Sequence, residues 1–156
     1  MPVMVVRHAH ALSRTDWEGD DALRTLSGRG EKQSKLLISR LIEMKPTRIL
    51  SSPYVRCMDT VRPLAAAAGL TVEEEPRLAE GEGRRAIDLV RALGSAGESA
   101  VLCSHGDVIP EILAAVANED QVDLGSAPRV EKASVWILEG EGGRFSSASY
   151  IKPPKA

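Results

Sequence analysis

The sequence predicts a three-layer α/β/α fold with a mainly parallel central sheet and a hairpin at its C-terminal edge. Short apolar runs alternate with helical segments in the order βαβαβαβα, which is typical of a parallel sheet covered by helices on both faces. Two more strand-like segments, separated by a glycine-containing turn, predict the hairpin. A length of 156 residues with 43% hydrophobic residues suits one domain, 1–152, followed by a frayed tail at 153–156.

The first half of the chain is expected to alternate strands and helices. An uninterrupted apolar run with three valines, 2–6, favours a strand that is covered on both faces. After the second strand, Ser52 and Pro53 have the residue types of a helix N-cap and a first helical position. The expected order is a strand at 2–6, an acidic loop at 10–27, a helix from Ser27 to Lys45, a strand at 48–51 and a helix from Ser52 to Gly69.

The second half continues this alternation and ends in the hairpin. Apolar residues recur at helical spacing within 84–93, which predicts an amphipathic helix. Another uninterrupted apolar run, 99–104, predicts a second buried strand. The expected order is a strand at 70–75, an irregular stretch at 76–83, a helix at 84–93, a strand at 99–104, a helix at 108–117 and strands at 133–138 and 145–151.

Charge and cysteine content exclude several classes of function. The chain has 20 basic and 22 acidic residues, so no overall field would recruit nucleic acid or an anionic membrane. It shows neither a long apolar span nor a secretory leader, and we expect a cytoplasmic protein. Cys57 and Cys103 are too few for a disulfide framework or a four-cysteine zinc site, and we expect both to be core residues.

Three predicted strands end in side chains that suit phosphoryl chemistry. Arg7 and His8 follow the first strand, Arg56 lies just beyond the second, and His105 follows the run 99–104. Because ligands bind at the carboxyl ends of parallel strands, we expect these four side chains to converge. Arginine forks match the oxygens of a tetrahedral dianion, and a neutral imidazole is a competent nucleophile near neutral pH.

Spacing excludes other phosphate-handling sites and leaves two alternatives open. A cysteine phosphatase loop needs an arginine six positions after its cysteine, whereas proline and isoleucine stand there after Cys57 and Cys103. No P-loop motif occurs. The first open alternative is a metal-dependent hydrolase that uses His8 and His10, which point the same way along an extended segment. The second is a regulatory module that binds phosphate without turnover.

Four blocks of sequence resemble the histidine phosphatase superfamily, which has the phosphoglycerate mutase-like fold. The blocks span nearly the whole chain in the family's order: VVRHA at 5–9, LSGRGEKQ at 26–33, SSPYVRCMDT at 51–60 and SHG at 104–106. Phosphoglycerate mutases continue their first block as His-Gly-Glu-Ser, whereas this chain has Ala9 and His10, so mutase activity is not expected. The stretch at 21–27 is more similar to small phosphohistidine phosphatases of the SixA type and to histidine phosphatase domains joined to Nudix domains.

The resemblance implies roles for the four converging residues. It makes His8 the nucleophile that takes the phosphoryl group as a phosphohistidine. It makes Arg7, Arg56 and His105 the phosphate pocket. The activity that it implies is metal-independent hydrolysis of a phosphoester or a phosphohistidine, without a cofactor.

The resemblance also implies a general acid from the loop after the third strand. Glu80 is the expected acid, and Glu82 and Asp107 stay as alternatives. Arg14 is expected to bind substrate, and four arginines could reach a second phosphate: Arg14, Arg24, Arg84 and Arg85. The expected partner is a phosphorylated small molecule or a phosphoprotein, with no nucleic acid and no membrane.

Overall fold

The computed structural model describes residues 1–126 and 128–156 and contains the predicted alternation of strands and helices. Its strands are β1 (Val3–Arg7), β2 (Arg48–Ser51), β3 (Val72–Glu74), β4 (Ala100–Ser104), β5 (Val135–Glu141) and β6 (Arg144–Ile151). Its longer helices are α1 (Gly28–Leu41), α2 (Val55–Ala68), α3 (Gly83–Ser95) and α4 (Ile109–Glu119). Short 3-10 turns lie at Asp21–Leu23, Ile42–Met44 and Pro76–Leu78.

The strands form one sheet in the order β3-β2-β4-β1-β5-β6, which confirms the predicted fold class. The strands β3, β2, β4 and β1 run parallel to one another, β5 pairs antiparallel with β1, and β5 and β6 form the antiparallel hairpin at the edge. Arg7 of β1 stands beside Ser104 of β4, and Ser51 of β2 stands beside Cys103. The carboxyl ends of these three strands are therefore level with one another and open at one edge of the sheet.

Two apolar clusters separate the sheet from its two helical layers. Successive side chains of a strand point to opposite faces, so Val3 and Val5 join one cluster, whereas Met4 and Val6 join the other. The first cluster contains the apolar faces of α3 and α4, and the second contains those of α1 and α2. Burying one large aliphatic side chain contributes about 1.5–3 kcal/mol, so these layers hold the strand ends rigidly.

Both cysteines lie in the second cluster, as predicted. Cys57 and Cys103 are free, fully buried residues that pack among apolar side chains.

The expected helix start at Ser52 is wrong, because α2 begins at Val55. Tyr54 occupies the N-cap position, and its side chain makes no capping hydrogen bond. The Ser52 hydroxyl is used elsewhere: it accepts from the Tyr54 amide at 3.3 Å and lies 2.8 Å from Nε2 of His105. At α1 the prediction is confirmed, since Ser27 is the N-cap.

The loop at 10–27 and the tail carry more structure than the sequence pattern indicates. Ala11 and Leu26 form an antiparallel bridge across the base of the loop. The tail at 153–156 has no helix or strand; Pro154 within it is buried, and the carbonyl of the preceding Lys152 accepts a hydrogen bond from Arg40. In the described part of the chain, no helix combines the length and apolar character needed to cross a membrane.

Candidate active site

The level strand ends bring together three of the four side chains that the sequence singles out, and the fourth, Arg56 of α2, reaches Glu80 at the same edge of the sheet. Arg7 ends β1, His8 follows it, and His105 follows β4. The His8 amide donates to the carbonyl of Ser104 at 3.1 Å, which ties two of the strand ends together. The rings of His8 and His105 lie edge to face, with centroids 5.7 Å apart.

An open cleft of about 410 Å³ lies over these strand ends. Its lining consists of Arg7, His8, Arg14, Glu80, His105, Gly106 and Asp107. A cavity of this size falls within the range of small-molecule sites. A larger groove of about 500 Å³ lies between α3 and α4, but no histidine lines it. The volume of a cavity alone therefore does not identify the active site.

Burial keeps the imidazole of His8 neutral. Its Nδ1 lies 2.8 Å from the carbonyl of Ala9, which can only accept, so Nδ1 carries the proton and Nε2 keeps its lone pair. Desolvation by burial lowers the pKa of His8 to about 3; the hydrogen bond to Ala9 opposes this shift, and the charge of Arg56 adds to it. At neutral pH the His8 ring is therefore uncharged and held in one orientation, with its proton on Nδ1.

Arg56 is fully buried in the first turn of α2, where the helix dipole disfavours a cation. Three acceptors compensate. Its Nη1 donates to the Asp21 carbonyl at 2.8 Å, and its Nη2 donates to Asp21 Oδ2 at 3.1 Å and to Glu80 Oε1 at 2.7 Å. Asp21 also accepts from Nε of Arg24 at 2.9 Å, and this bond is the main cause that holds the pKa of Asp21 below its usual value.

Asp21 is therefore a site residue that the sequence reasoning missed. The spacing of Asp21 and Arg24 within the SixA-like stretch was the available signal. The same contacts correct the expectation for Arg24, which is buried between Asp21 and the carbonyl of Leu12 and does not reach the cleft.

Arg7 and Arg56 each keep one buried donor without a partner. Among residues 1–126 and 128–156, two buried side-chain nitrogen or oxygen atoms make no hydrogen bond: Nε of Arg7 and Nε of Arg56. An unsatisfied buried donor costs about 1–3 kcal/mol, so both donors suit an anionic ligand. Gly106 leaves space for the guanidinium group of Arg7, because a Cβ at position 106 would lie 2.8 Å from Cζ of Arg7.

His105 is oriented by the segment that joins β2 to α2 and by the first turn of α2. Its Nε2 lies 2.8 Å from Oγ of Ser52, and Sγ of Cys57 lies 3.6 Å from the same nitrogen. The Tyr54 ring packs edge-on at a centroid distance of 4.7 Å. Ser52 was expected to cap a helix, and its place beside His105 depends on tertiary structure.

Glu80 is the candidate acid whose carboxylate contacts Arg56, His105 and Arg14. Besides its bond to Arg56, its Oε1 lies 3.5 Å from Nδ1 of His105 and 3.5 Å from Nη2 of Arg14. Arg14 lines the cleft, as expected of a substrate-binding residue.

The alternative acids occupy other positions. Glu82 pairs with Arg85 at 3.3 Å, outside the cleft lining. Asp107 lines the cleft, but its Oδ2 accepts from the amide of Gly81 at 2.8 Å and so anchors the loop that carries Glu80. Arg84 faces the groove between α3 and α4, so neither Arg84 nor Arg85 belongs to the cleft.

His10 does not line the cleft that contains His8. Its Nδ1 lies 2.6 Å from Oγ of Ser27, and its amide donates to Gln33 at 3.0 Å. The part of the chain that the structure describes contains no group of three or more His, Cys, Asp or Glu that could hold a metal ion. The pair of histidines therefore lacks a third protein ligand there, whereas catalytic zinc sites use three.

Comparison with known proteins gives consistent matches over most of the chain. The model of the histidine phosphatase superfamily (branch 1) matches residues 3–83. An 8-oxo-(d)GTP phosphatase of Mycolicibacterium smegmatis is 30% identical over 156 residues, which are 97% of this chain and 48% of that protein. The chain thus spans about half the length of that relative.

Solved structures show the same fold. The protein histidine phosphatase SixA complexed with tungstate superposes with a TM-score of 0.76 at 21% identity, covering 99% of this chain and 97% of that chain. A putative phosphohistidine phosphatase SixA from Agrobacterium tumefaciens gives a TM-score of 0.75 at 20% identity, covering 97% of this chain and 98% of that chain.

Proposed function

The chain belongs to the histidine phosphatase superfamily, and from this premise we propose that it hydrolyses a phosphoester or a phosphohistidine through a covalent phosphohistidine on His8. One observation carries the proposal: His8 is a buried, neutral imidazole whose Nε2 is free. Two arginines, each with an unpaired buried Nε, support it: Arg7 lines the same cleft as His8, and Arg56 is bonded to Glu80 of that cleft. The proposed reaction requires neither a metal nor a cofactor.

In the first step, Nε2 of His8 attacks phosphorus, a P–N bond forms, and the bond from phosphorus to the leaving group breaks. The ring becomes positively charged, and the hydrogen bond from Nδ1 to the Ala9 carbonyl stabilises that charge. Donors from Arg7, Arg56 and His105 stabilise the phosphoryl oxygens. Preorganised donors of this kind are usually the largest single contribution to catalysis.

Glu80 supplies the proton that the leaving group needs. A bound phosphoryl dianion competes with Glu80 for Arg56, and the released carboxyl group can carry a proton. In the second step, water attacks the phosphohistidine and transfers a proton to the Glu80 carboxylate. His8 then leaves phosphorus as a neutral ring, and the cycle is complete.

The proposal covers two classes of substrate. The name of the Mycolicibacterium relative points to a phosphorylated nucleotide, and the names of the SixA proteins point to phosphohistidine. Tungstate, present in one of those structures, is a tetrahedral oxyanion like phosphate. A phosphorylated small molecule and a phosphoprotein are both consistent with an open cleft.

Rapid quench with p-nitrophenyl [32P]phosphate tests the covalent step. We expect acid-labile, base-stable label on His8 of the wild type, no label and no turnover in His8→Ala, and normal labelling in the matched control His10→Ala. Turnover that persists in His8→Ala, with no label on the wild type, would overturn the proposal.

The same assay also distinguishes the proposed mechanism from a phosphate-binding module and from a metal-dependent hydrolase. A phosphate-binding module would bind orthophosphate but release no nitrophenol. A metal-dependent hydrolase using His8 and His10 would lose activity in EDTA and regain it with zinc or manganese. The proposed mechanism predicts turnover at a rate that EDTA leaves unchanged.

A further inference from the structure

The two peptide groups that follow His8 are each held by a buried side chain from a helix. The amide of Ala9 donates to Oγ1 of Thr60 in α2 at 2.9 Å, and the amide of His10 donates to Oε1 of Gln33 in α1 at 3.0 Å. Thr60 and Gln33 are both almost fully buried. Neither residue lines the cleft, so any effect on the reaction passes through the backbone that they hold.

The start of α1 lies directly on the backbone of His10. The amide of Ser27, the N-cap residue, donates to the His10 carbonyl at 3.0 Å. A Cβ at Gly30 would lie 1.9 Å from the same carbonyl oxygen, so the helix could not come this close with any larger residue there. Together with Gln33, these residues belong to the block LSGRGEKQ at 26–33, which takes no part in the proposed chemistry so far.

The peptide group between Ala9 and His10 connects Gln33 to the nucleophile. Its N–H donates to Gln33, and its carbonyl accepts from Nδ1 of His8 at 2.8 Å. Because a peptide N–H can only donate, the side-chain amide of Gln33 is oriented with its oxygen towards it. Hydrogen bonds in such a chain polarise one another in a low-dielectric interior, so Gln33 makes the Ala9 carbonyl a stronger acceptor.

A stronger acceptor at Ala9 favours the form of His8 that the reaction needs. It holds the ring proton on Nδ1, which leaves Nε2 as the nucleophile, and it stabilises the positive charge that forms when Nε2 takes the phosphoryl group. The same hydrogen bond raises the pKa of His8 against the effect of burial, which makes Nε2 more basic. Without the Gln33 oxygen, the His10 amide loses its partner, and the peptide group can rotate away from His8.

We propose that Gln33 is a positioning residue for the nucleophile, which acts through the peptide group between Ala9 and His10 to keep His8 in its Nδ1-protonated form. The inference rests on the proposed function, because it gives Gln33 a part in the phosphorylation of His8. It also makes catalysis depend on α1, although none of the residues that line the cleft belongs to that helix.

NMR of the ring nitrogens tests the tautomer of His8 without any turnover. At neutral pH we expect the wild type to show one neutral form, with the proton on Nδ1. Gln33→Met has nearly the size of glutamine but no acceptor oxygen, and Gln33→Leu is a second apolar substitution. In both variants the ring nitrogens should shift towards a mixture of the two neutral tautomers. Gln33→Glu offers an acceptor oxygen in either protonation state and should keep the wild-type form.

Ser34→Ala is the matched control for these variants. Ser34 is the next residue of α1, is also buried, and donates to the Glu31 carbonyl at 2.7 Å. The substitution removes a buried side-chain hydrogen bond of the same helix without touching the peptide group between Ala9 and His10. We expect it to leave both the His8 tautomer and the rate of phosphorylation unchanged.

Rapid-quench kinetics gives a second readout. The rate at which p-nitrophenyl phosphate phosphorylates His8 should fall about tenfold in Gln33→Met and Gln33→Leu, as the loss of one hydrogen bond implies, and Gln33→Glu should restore it. The affinity for orthophosphate should stay close to that of the wild type, because Arg7, Arg56 and His105 are intact. A merely structural role would lower Tm and phosphate affinity together and leave the tautomer as it is.

Two results would contradict the assignment of Gln33. One is a wild-type tautomer of His8 in both apolar variants, and the other is a phosphorylation rate in both that equals the rate of Ser34→Ala. Thermal denaturation establishes which variants are folded, and the second apolar variant serves if the first does not fold. Failure of the proposed function is a different result, because the tautomer can still be measured in a wild type that never forms a phosphohistidine.

Discussion

The buried, neutral His8 makes the stability of the fold depend on pH. Its pKa is about 3 in the folded protein and about 6.5 in an unfolded chain. Between these values the unfolded state binds more protons than the folded state, so the free energy of unfolding falls as the pH is lowered through this window.

The size of the effect follows from the two pKa values. At pH 5 an unfolded imidazole is about 97% protonated, whereas the folded ring stays neutral, so the folded state loses about 2 kcal/mol between pH 7 and pH 5. Any folded pKa below about 4 gives nearly the same loss, because the unfolded value alone determines it in this range.

Urea denaturation at pH 7 and pH 5 measures this loss. We expect the wild type to lose about 2 kcal/mol more than His8→Gln over this interval, since the variant lacks the titrating group and the contributions of other residues cancel. Thr60→Val is the matched control: it removes the 2.9 Å hydrogen bond from the Ala9 amide, and it should lower stability equally at both pH values.

The protonation state of the His8 ring can also be followed directly by NMR. The chain has three histidines, so their ring protons can be assigned by NMR from single substitutions. The His8 resonance should keep the shift of a neutral ring down to about pH 4.5. A His8 resonance that titrates near pH 6.5, or the same pH dependence in His8→Gln as in the wild type, would refute the reasoning.

The phosphate pocket gives three more predictions. Arg56→Ala removes a buried guanidinium and should lower kcat/KM for p-nitrophenyl phosphate about 10²–10³-fold, as loss of an oxyanion donor does; normal kinetics would contradict the assigned pocket. Glu80→Gln should slow alkyl phosphates about 10²–10⁴-fold but p-nitrophenyl phosphate far less, because nitrophenolate leaves without a proton; equal slowing would make Glu80 a positioning residue. Gly106→Ala places a Cβ 2.8 Å from Cζ of Arg7 and should raise KM while Tm changes little, and an unchanged KM would mean that Arg7 does not bind the phosphoryl group.

The strand ends of the site could be predicted because their signals are local. Arg7, His8 and His105 each follow an uninterrupted apolar run, and such runs mark buried strands whose carboxyl ends share one edge of the sheet. The helix that carries Arg56 was also expected, although its N-cap and first turn lie two residues later than predicted.

The contacts that complete the site could not be read from local patterns. Asp21 lies 35 residues from Arg56 along the chain, in a loop without hydrophobic periodicity. Ser52 has the residue type of a helix cap, and only the pairing of β2 with β4 places it beside His105.

The loop that contains Asp21 has a local stability of its own, distinct from that of the sheet. It is tied down by the bridge between Ala11 and Leu26, by the bond of Arg24 to the Leu12 carbonyl and by the bonds of Asp21 to Arg56. Surface loops of this kind open at a lower free energy than a buried sheet does. Opening this loop releases Arg56 while the core stays folded, so heat or denaturant should abolish catalysis before the protein unfolds globally. We therefore expect activity to be lost at a temperature below the Tm of the whole domain, because one surface segment opens before the core does.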